Sequence, residues 1–230
     1  MTNVQQNLEK IIDNMKTASL RGNRNLSEVT IIAVTKEVSV ERTEQVIQAG
    51  VKHLGENRPE GLKNKLDAIK ENVKWHYIGT LQTRKVKSVI NNIDFLHSLD
   101  RISLAEEIEK RATSVKECFV QVNVAEEESK HGLAIDDVES FIKELGSYSR
   151  IRVIGLMTMA PNTEEESVIR KVFHNLRQLQ EKISKQSLAH APCTELSMGM
   201  SGDYEIAIEE GATYVRIGTA LVGKEREDTK

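Results

Sequence analysis

A chain of 230 residues with 39% hydrophobic side chains holds enough apolar material for one large domain or two small ones. Its 32 basic and 35 acidic residues leave a net charge of -3, and only 4% of residues are aromatic. That disfavours both the basic surface of a nucleic-acid binder and a platform for base stacking.

No apolar run approaches the roughly 18 residues of a membrane span. The opening M-T-N-V-Q-Q-N-L-E-K lacks the apolar stretch of a secretory signal. Two cysteines, Cys118 and Cys193, are too few for a disulfide-stapled secreted domain. A cytoplasmic protein with reduced thiols and no membrane segment is expected.

Val4, Leu8, Ile11, Ile12 and Met15 make a helical stripe over 2–20. The β-branched run V-T-I-I-A-V-T at 29–35 predicts a buried strand, and 40–50 a helix stopped at Gly50. Strands are then predicted at 52–54, 75–78, 94–98, 117–124, 152–157, 194–197 and 213–217. Helices are predicted at 57–71, 82–91, 101–112, 135–145, 164–186 and 203–210. The E-E-E runs at 126–128 and 164–166 read as solvated charge at helix entries. The polar tail at 224–230 is expected to fray.

Eight strands alternating with helices imply a parallel sheet with helical crossovers. The expected fold is α/β: a single (β/α)8 barrel over 1–230 with an extra N-terminal helix, a doubly wound open sheet being the alternative. Barrel sites lie at the C-terminal strand ends, and alternation sorts the side chains. In the fifth strand, Cys118, Val120, Val122 and Val124 should face the helices, leaving Phe119, Gln121 and Asn123 inside. Lys36 follows the first strand in register with Ile32 and Val34, Arg216 ends the eighth, and His76 is the inward residue of the third.

A lysine in a barrel mouth is partly desolvated, which favours the neutral amine needed for a Schiff base; a surface loop lysine is the plainer reading. The stretches S-M-G-M-S-G-D at 197–203 and R-I-G-T at 216–219 are glycine turns after strands seven and eight, where barrels frequently bind phosphate. His53, His76 and His97 have no metal-site spacing, and His53 and His97 read as packing or surface residues. Cys118 and Cys193 read as small core residues. Met157, Met159, Met198 and Met200 read as apolar lining of a core or a cofactor pocket.

The chain resembles the pyridoxal-phosphate homeostasis proteins, relatives of the alanine racemase N-terminal domain. The matching segments run in order through nearly the whole sequence. They are A-V-T-K at 33–36, G-E-N at 55–57, W-H-Y-I-G-T-L-Q at 75–82, Q-V-N-V at 121–124, E-E-S-K-H-G-L at 127–133, G-L-M-T-M at 155–159, L-S-M-G-M-S-G-D at 196–203 and V-R-I-G-T at 215–219. Pro59 and the Leu221-Val222-Gly223 end of that last region depart from the usual pattern.

The resemblance implies pyridoxal 5'-phosphate held covalently on Lys36. It implies a phosphate cup at Ser201, Gly202, Gly218 and Thr219, and Arg216 beside the pyridine nitrogen. Asn57, His76 and Met157 are further expected pocket residues. A guanidinium only donates, so a ring nitrogen facing it stays unprotonated and the ring is a weak electron sink. In alanine racemase a second domain from a partner subunit supplies the opposing base, and no such domain is recognised here.

A cofactor carrier or buffer without strong catalysis is therefore expected, serving intracellular vitamin B6 and amino-acid homeostasis. Apo-enzymes that use the cofactor are the expected recipients, and the chain is expected to be a monomer or weak dimer. The alternatives are a small amino-acid racemase using Lys36 with His76, and a Schiff-base aldolase acting on a phosphorylated sugar.

Overall fold

The computed structural model describes residues 4–127 and 131–223. Eight parallel strands close into a barrel in chain order. They are β1 (Thr30–Val34), β2 (His53–Glu56), β3 (Lys74–Tyr77), β4 (Phe95–Leu99), β5 (Lys116–Gln121), β6 (Ile151–Met157), β7 (Glu195–Met200) and β8 (Tyr214–Ile217). Closure is the pairing of β1 with β8, Thr30 opposite Tyr214 and Ile32 opposite Arg216. The open-sheet alternative is thereby excluded.

The helices among the described residues are α1 (Val4–Arg21), α2 (Val40–Gln48), α3 (Pro59–Ala68), α4 (Val86–Val89), α5 (Ile102–Arg111), α6 (Ile135–Glu144), α7 (Glu166–Ser184), α8 (Tyr204–Glu209) and α9 (Thr219–Val222). None is long and apolar enough to cross a membrane.

Local chemistry sets several boundaries. The Ser39 hydroxyl caps α2 by accepting from the Arg42 N–H at 3.1 Å. The chain leaves that helix at Gly50 with φ +105, a conformation that suits glycine. The helix expected at 57–71 begins only at Pro59, whose ring favours the first helical position and keeps Arg58 extended.

The helix expected at 82–91 is a single α-turn, α4, between 3-10 turns at Thr83–Lys85 and Ile90–Asn92. Asn91 there uses its side chain to bond Arg111 O and the Thr113 N–H. That diverts it from helix continuation. Strand β5 stops at Gln121, short of 124, because Val122 and Asn123 turn to pair with Leu133. The short α9 was not expected. The tail at 224–230 and Glu128 lie outside the described residues.

Two apolar layers form. The larger lies between strands and helices and includes Cys118, Val120 and Val122. The smaller fills the barrel with Phe95, Phe119, Ile154 and Met157. The expected alternation along β5 therefore holds. Both cysteines are free and buried, and burial pushes each thiol up to about 12.

Helix α1 buries Val4, Leu8, Ile11, Met15 and Ala18 and packs on α8 and α9. Each large side chain contributes about 1.5–3 kcal/mol by leaving water. Asn7 donates to Leu221 O at 2.9 Å and Asn14 to the Tyr204 hydroxyl at 3.0 Å, tying α1 to the last elements.

Candidate functional site at the barrel mouth

Lys36 leaves β1 at the C-terminal mouth. Its side chain is 39% exposed and its Nζ lies 3.8 Å from Glu37 Oε1. An exposed pair at that distance holds the amine only weakly.

Immediately behind it, Lys65 of α3 is fixed. Its Nζ lies 2.6 Å from both Glu56 Oε1 and the carbonyl oxygen of Thr35. The Thr35 hydroxyl donates to the same Glu56 oxygen at 2.6 Å. Lys65, Glu56 and Thr35 are all buried, and Glu56 Oε2 has no hydrogen-bond partner among the described residues. Two lysines thus meet near the end of β1: one clamps the backbone just before Lys36, and the other is open.

Asn57 follows β2 and is half-buried. A Cβ at Gly79 would lie 2.6 Å from the Asn57 carbonyl oxygen, so glycine is required where the loop after β3 crosses it.

Arg216 of β8 is 5% exposed. Its Nη1 donates to Ser197 Oγ at 2.6 Å and its Nη2 to Thr158 O at 2.8 Å. Burial pulls its pKa down to about 10, against the opposing effect of Asp203, so it is cationic at neutral pH. A guanidinium carries five N–H donors, so these bonds leave others uncommitted.

The two glycine turns meet beside it. Ser201 Oγ accepts from the Gly218 N–H at 3.2 Å. Asp203 accepts from the Met200 N–H and closes the first turn, and burial raises the pKa of its carboxyl. A Cβ at Gly202 would meet nothing within 4 Å, so this turn opens outward. Thr219 is exposed at the start of α9.

Met157 lies deeper, in the inner core with Phe95 and Phe119. Met198 belongs to the outer layer, and Met200 is exposed. Gln121 and Asn123 brace the loop after β5, donating to His131 O at 3.0 Å and Glu127 O at 2.9 Å.

His76 is fully enclosed and does not reach the mouth. Its Nε2 lies 2.8 Å from His53 Nδ1, and its Nδ1 lies 2.8 Å from His97 Nε2. His97 Nδ1 continues the chain to Ser197 Oγ at 2.9 Å. His97 and Ser197 therefore join His76 to Arg216. The sequence offers His97 only as a packing or surface residue and gives Ser197 no separate role. The available signal was three histidines of inward parity on three successive strands.

This mouth, with its lysine, buried arginine and paired glycine turns, falls in a defined class of barrels: residues 6–226 match the alanine racemase N-terminal domain family. The chain is 36% identical to the pyridoxal phosphate homeostasis protein of Aquifex aeolicus over 228 residues, covering 97% of this chain and 99% of that one. The crystal structure of a Bifidobacterium adolescentis protein superposes with a TM-score of 0.90 at 32% identity, covering 95% of this chain and 94% of that one. PipY of Synechococcus elongatus PCC7942, solved with PLP bound, gives 0.79 at 29% identity, covering 91% of this chain and 99% of PipY. The chain belongs to the pyridoxal phosphate homeostasis protein family.

Proposed function

We propose that this chain, acting as one domain over 1–230, binds pyridoxal 5'-phosphate at the barrel mouth and buffers or delivers it in the cell without strong catalysis of its own. The observation that carries this reading is an open lysine amine in the same mouth as a buried, donor-only arginine and two facing glycine turns.

The donor set suits the cofactor. Lys36 would hold the cofactor through its amine, which is open at the mouth. Arg216 offers N–H groups to the ring nitrogen. Ser201, Gly202 and Thr219 would offer backbone N–H groups and hydroxyls to the phosphate, while Gly218, whose N–H donates to Ser201 Oγ, joins the two turns of the cup. Asn57 and Met157 complete the pocket from the mouth and from below. When bound, the cofactor supplies an electrophilic carbon and an electron-withdrawing ring. Donation from Arg216 would keep a ring nitrogen facing it unprotonated and limit that withdrawal.

The family name and the bound PLP of PipY support the same reading. The carrier works in the cytoplasm, and its recipients are apo-enzymes that use the cofactor.

A racemase needs a base opposite Lys36. His76 is badly placed for that task, because both its ring nitrogens are engaged by His53 and His97. A panel of L-amino acids with chiral product analysis is expected to show no turnover above that of free cofactor. Conversion that disappears in Lys36→Ala would restore the racemase reading.

Gly202→Val tests the phosphate end. Its side chain meets no protein atom within 4 Å at the first carbon, so the fold is expected to be unaffected. The branched side chain instead occupies the space in front of the turn. One lost hydrogen bond to a charged acceptor is worth about 1.5–3 kcal/mol. Cofactor affinity by equilibrium dialysis is therefore expected to fall by about tenfold or more. Unchanged affinity would put the phosphate elsewhere.

A further inference from the structure

Three neighbouring strands each put a histidine inside the barrel. His53 is opposite Lys74 in the β2–β3 register, so His76 stands two residues further along β3. His76 is opposite Phe95, so His97 stands two residues further along β4. Each step climbs about 6.6 Å along the strands at 3.3 Å per residue. The staircase begins at the N-terminal floor of the barrel and ends at Ser197, which holds Arg216.

Flat partners fix the rings. His76 stacks on Phe95 with centroids 4.3 Å apart, and His97 on Phe119 at 4.4 Å.

The direction of every hydrogen bond follows from one end. Arg216 can only donate, so Ser197 Oγ accepts from it. The recorded partner left for the Ser197 hydroxyl proton is His97 Nδ1, which must accept it. His97 then carries its proton on Nε2 and donates to His76 Nδ1. His76 carries its proton on Nε2 and donates to His53 Nδ1. All three are thereby fixed as neutral Nε2–H tautomers. The opposite polarity would strand the buried Ser197 hydroxyl proton without an acceptor, a costly arrangement.

The electrostatics agree. Burial, then the neighbouring cations and rings, holds His76 and His97 well below the ordinary imidazole value. His53 is lowered by burial and by Lys74, against Asp94. At the floor it faces Asp94 and Lys74, themselves paired at 2.8 Å, and the Tyr214 ring at 6.2 Å. Glu117 and Glu195 act on Tyr214 there.

We infer that Ser197, His97, His76 and His53 are positioning residues that form a polarised relay, holding Arg216 as a fixed donor at the mouth and transmitting its state to the barrel floor. The relay stands on hydrogen-bond geometry alone. Its link to ligand occupancy rests on the proposed contact between Arg216 and the cofactor ring.

The experiment is a multiple-bond proton–nitrogen spectrum of the histidines in the full chain, as purified and as Lys36→Ala. All three are expected as Nε2–H at neutral pH in both proteins; an Nδ1–H or charged His76 or His97 would overturn the relay. Ser197→Ala removes the hydroxyl that sets the polarity, so His76 and His53 should lose their fixed tautomer as His97 does. A packing role alone would confine the change to His97 and would overturn transmission. In a His76→Phe background, where a flat ring still faces Phe95, Ser197→Ala should leave the His53 resonances unmoved; movement there would also overturn it. If the tautomers hold but adding cofactor to the stripped protein moves none of them, the relay stands and the placement of the ligand against Arg216 fails.

Discussion

The Lys36→Ala protein is expected to purify colourless and to take up no covalent label, while the parent is yellow. Borohydride reduction of the parent should fix the cofactor's mass on the peptide containing Lys36. The competing amine nearby is Lys65, which lies 2.6 Å from a carboxylate and a carbonyl and is enclosed by protein. It has no room for an aldehyde, and bonding one would leave Glu56 unpaired. Lys36 has open space and only a weak ion pair. Loss of visible absorbance should therefore be complete, with circular dichroism unchanged. Label retained by Lys36→Ala, or found on Lys65, would place the chemistry on another amine.

Lys65→Met should be the most destabilising of the substitutions considered. It leaves the Glu56 carboxylate buried, with Oε2 already lacking a partner, and removes the donor to Thr35 O. Breaking a buried pair from one side costs about 3–5 kcal/mol. For a domain near this size, about 1 kcal/mol lowers the melting temperature by roughly 2–4 °C, so a fall of about 6–20 °C is expected in a thermal melt. The double variant Glu56→Gln/Lys65→Met should recover much of it, because no charge is then stranded and Thr35 can still donate to the amide oxygen. If Lys65→Met melts with the parent, the Glu56–Lys65 pair does not hold the end of β1.

The alternation of β-branched runs with amphipathic stretches made the barrel legible. Hydrophobic periodicity reports which face an element buries, and in a barrel both faces of each strand are covered. The exit of β1 at Lys36 and the glycine turns at 202 and 218 were legible for the same reason: each is a local signal at a known place in an alternating fold.

The Glu56–Lys65 clamp was not legible. Its partners lie on β2 and α3, and as sequence they look like solvated charges. The histidine chain was harder still. His97 meets Ser197 across the barrel, a contact set by strand tilt and closure rather than by spacing in the chain. The helical stretch expected at 82–91 is present from Thr83 to Asn92, but its winding into 3-10 turns at both ends and the bonds of Asn91 to Arg111 and Thr113 were not legible.

The strap of α1 over α8 and α9 has a consequence for how the chain comes to exist. Synthesis delivers α1 before the barrel strands, yet much of its apolar stripe covers α8 and α9, made after β7. Strand β1 likewise cannot complete its pairing until β8 appears. Contacts so distant in sequence close slowly, because a long loop must be ordered before they form. During that interval α1 can pack only on early neighbours such as α2, its face toward α8 and α9 stays uncovered, and the half-built sheet has two open edges. The nascent chain is thus most exposed to aggregation just before β8 emerges, because β8 closes the barrel while α8 and α9 cover α1.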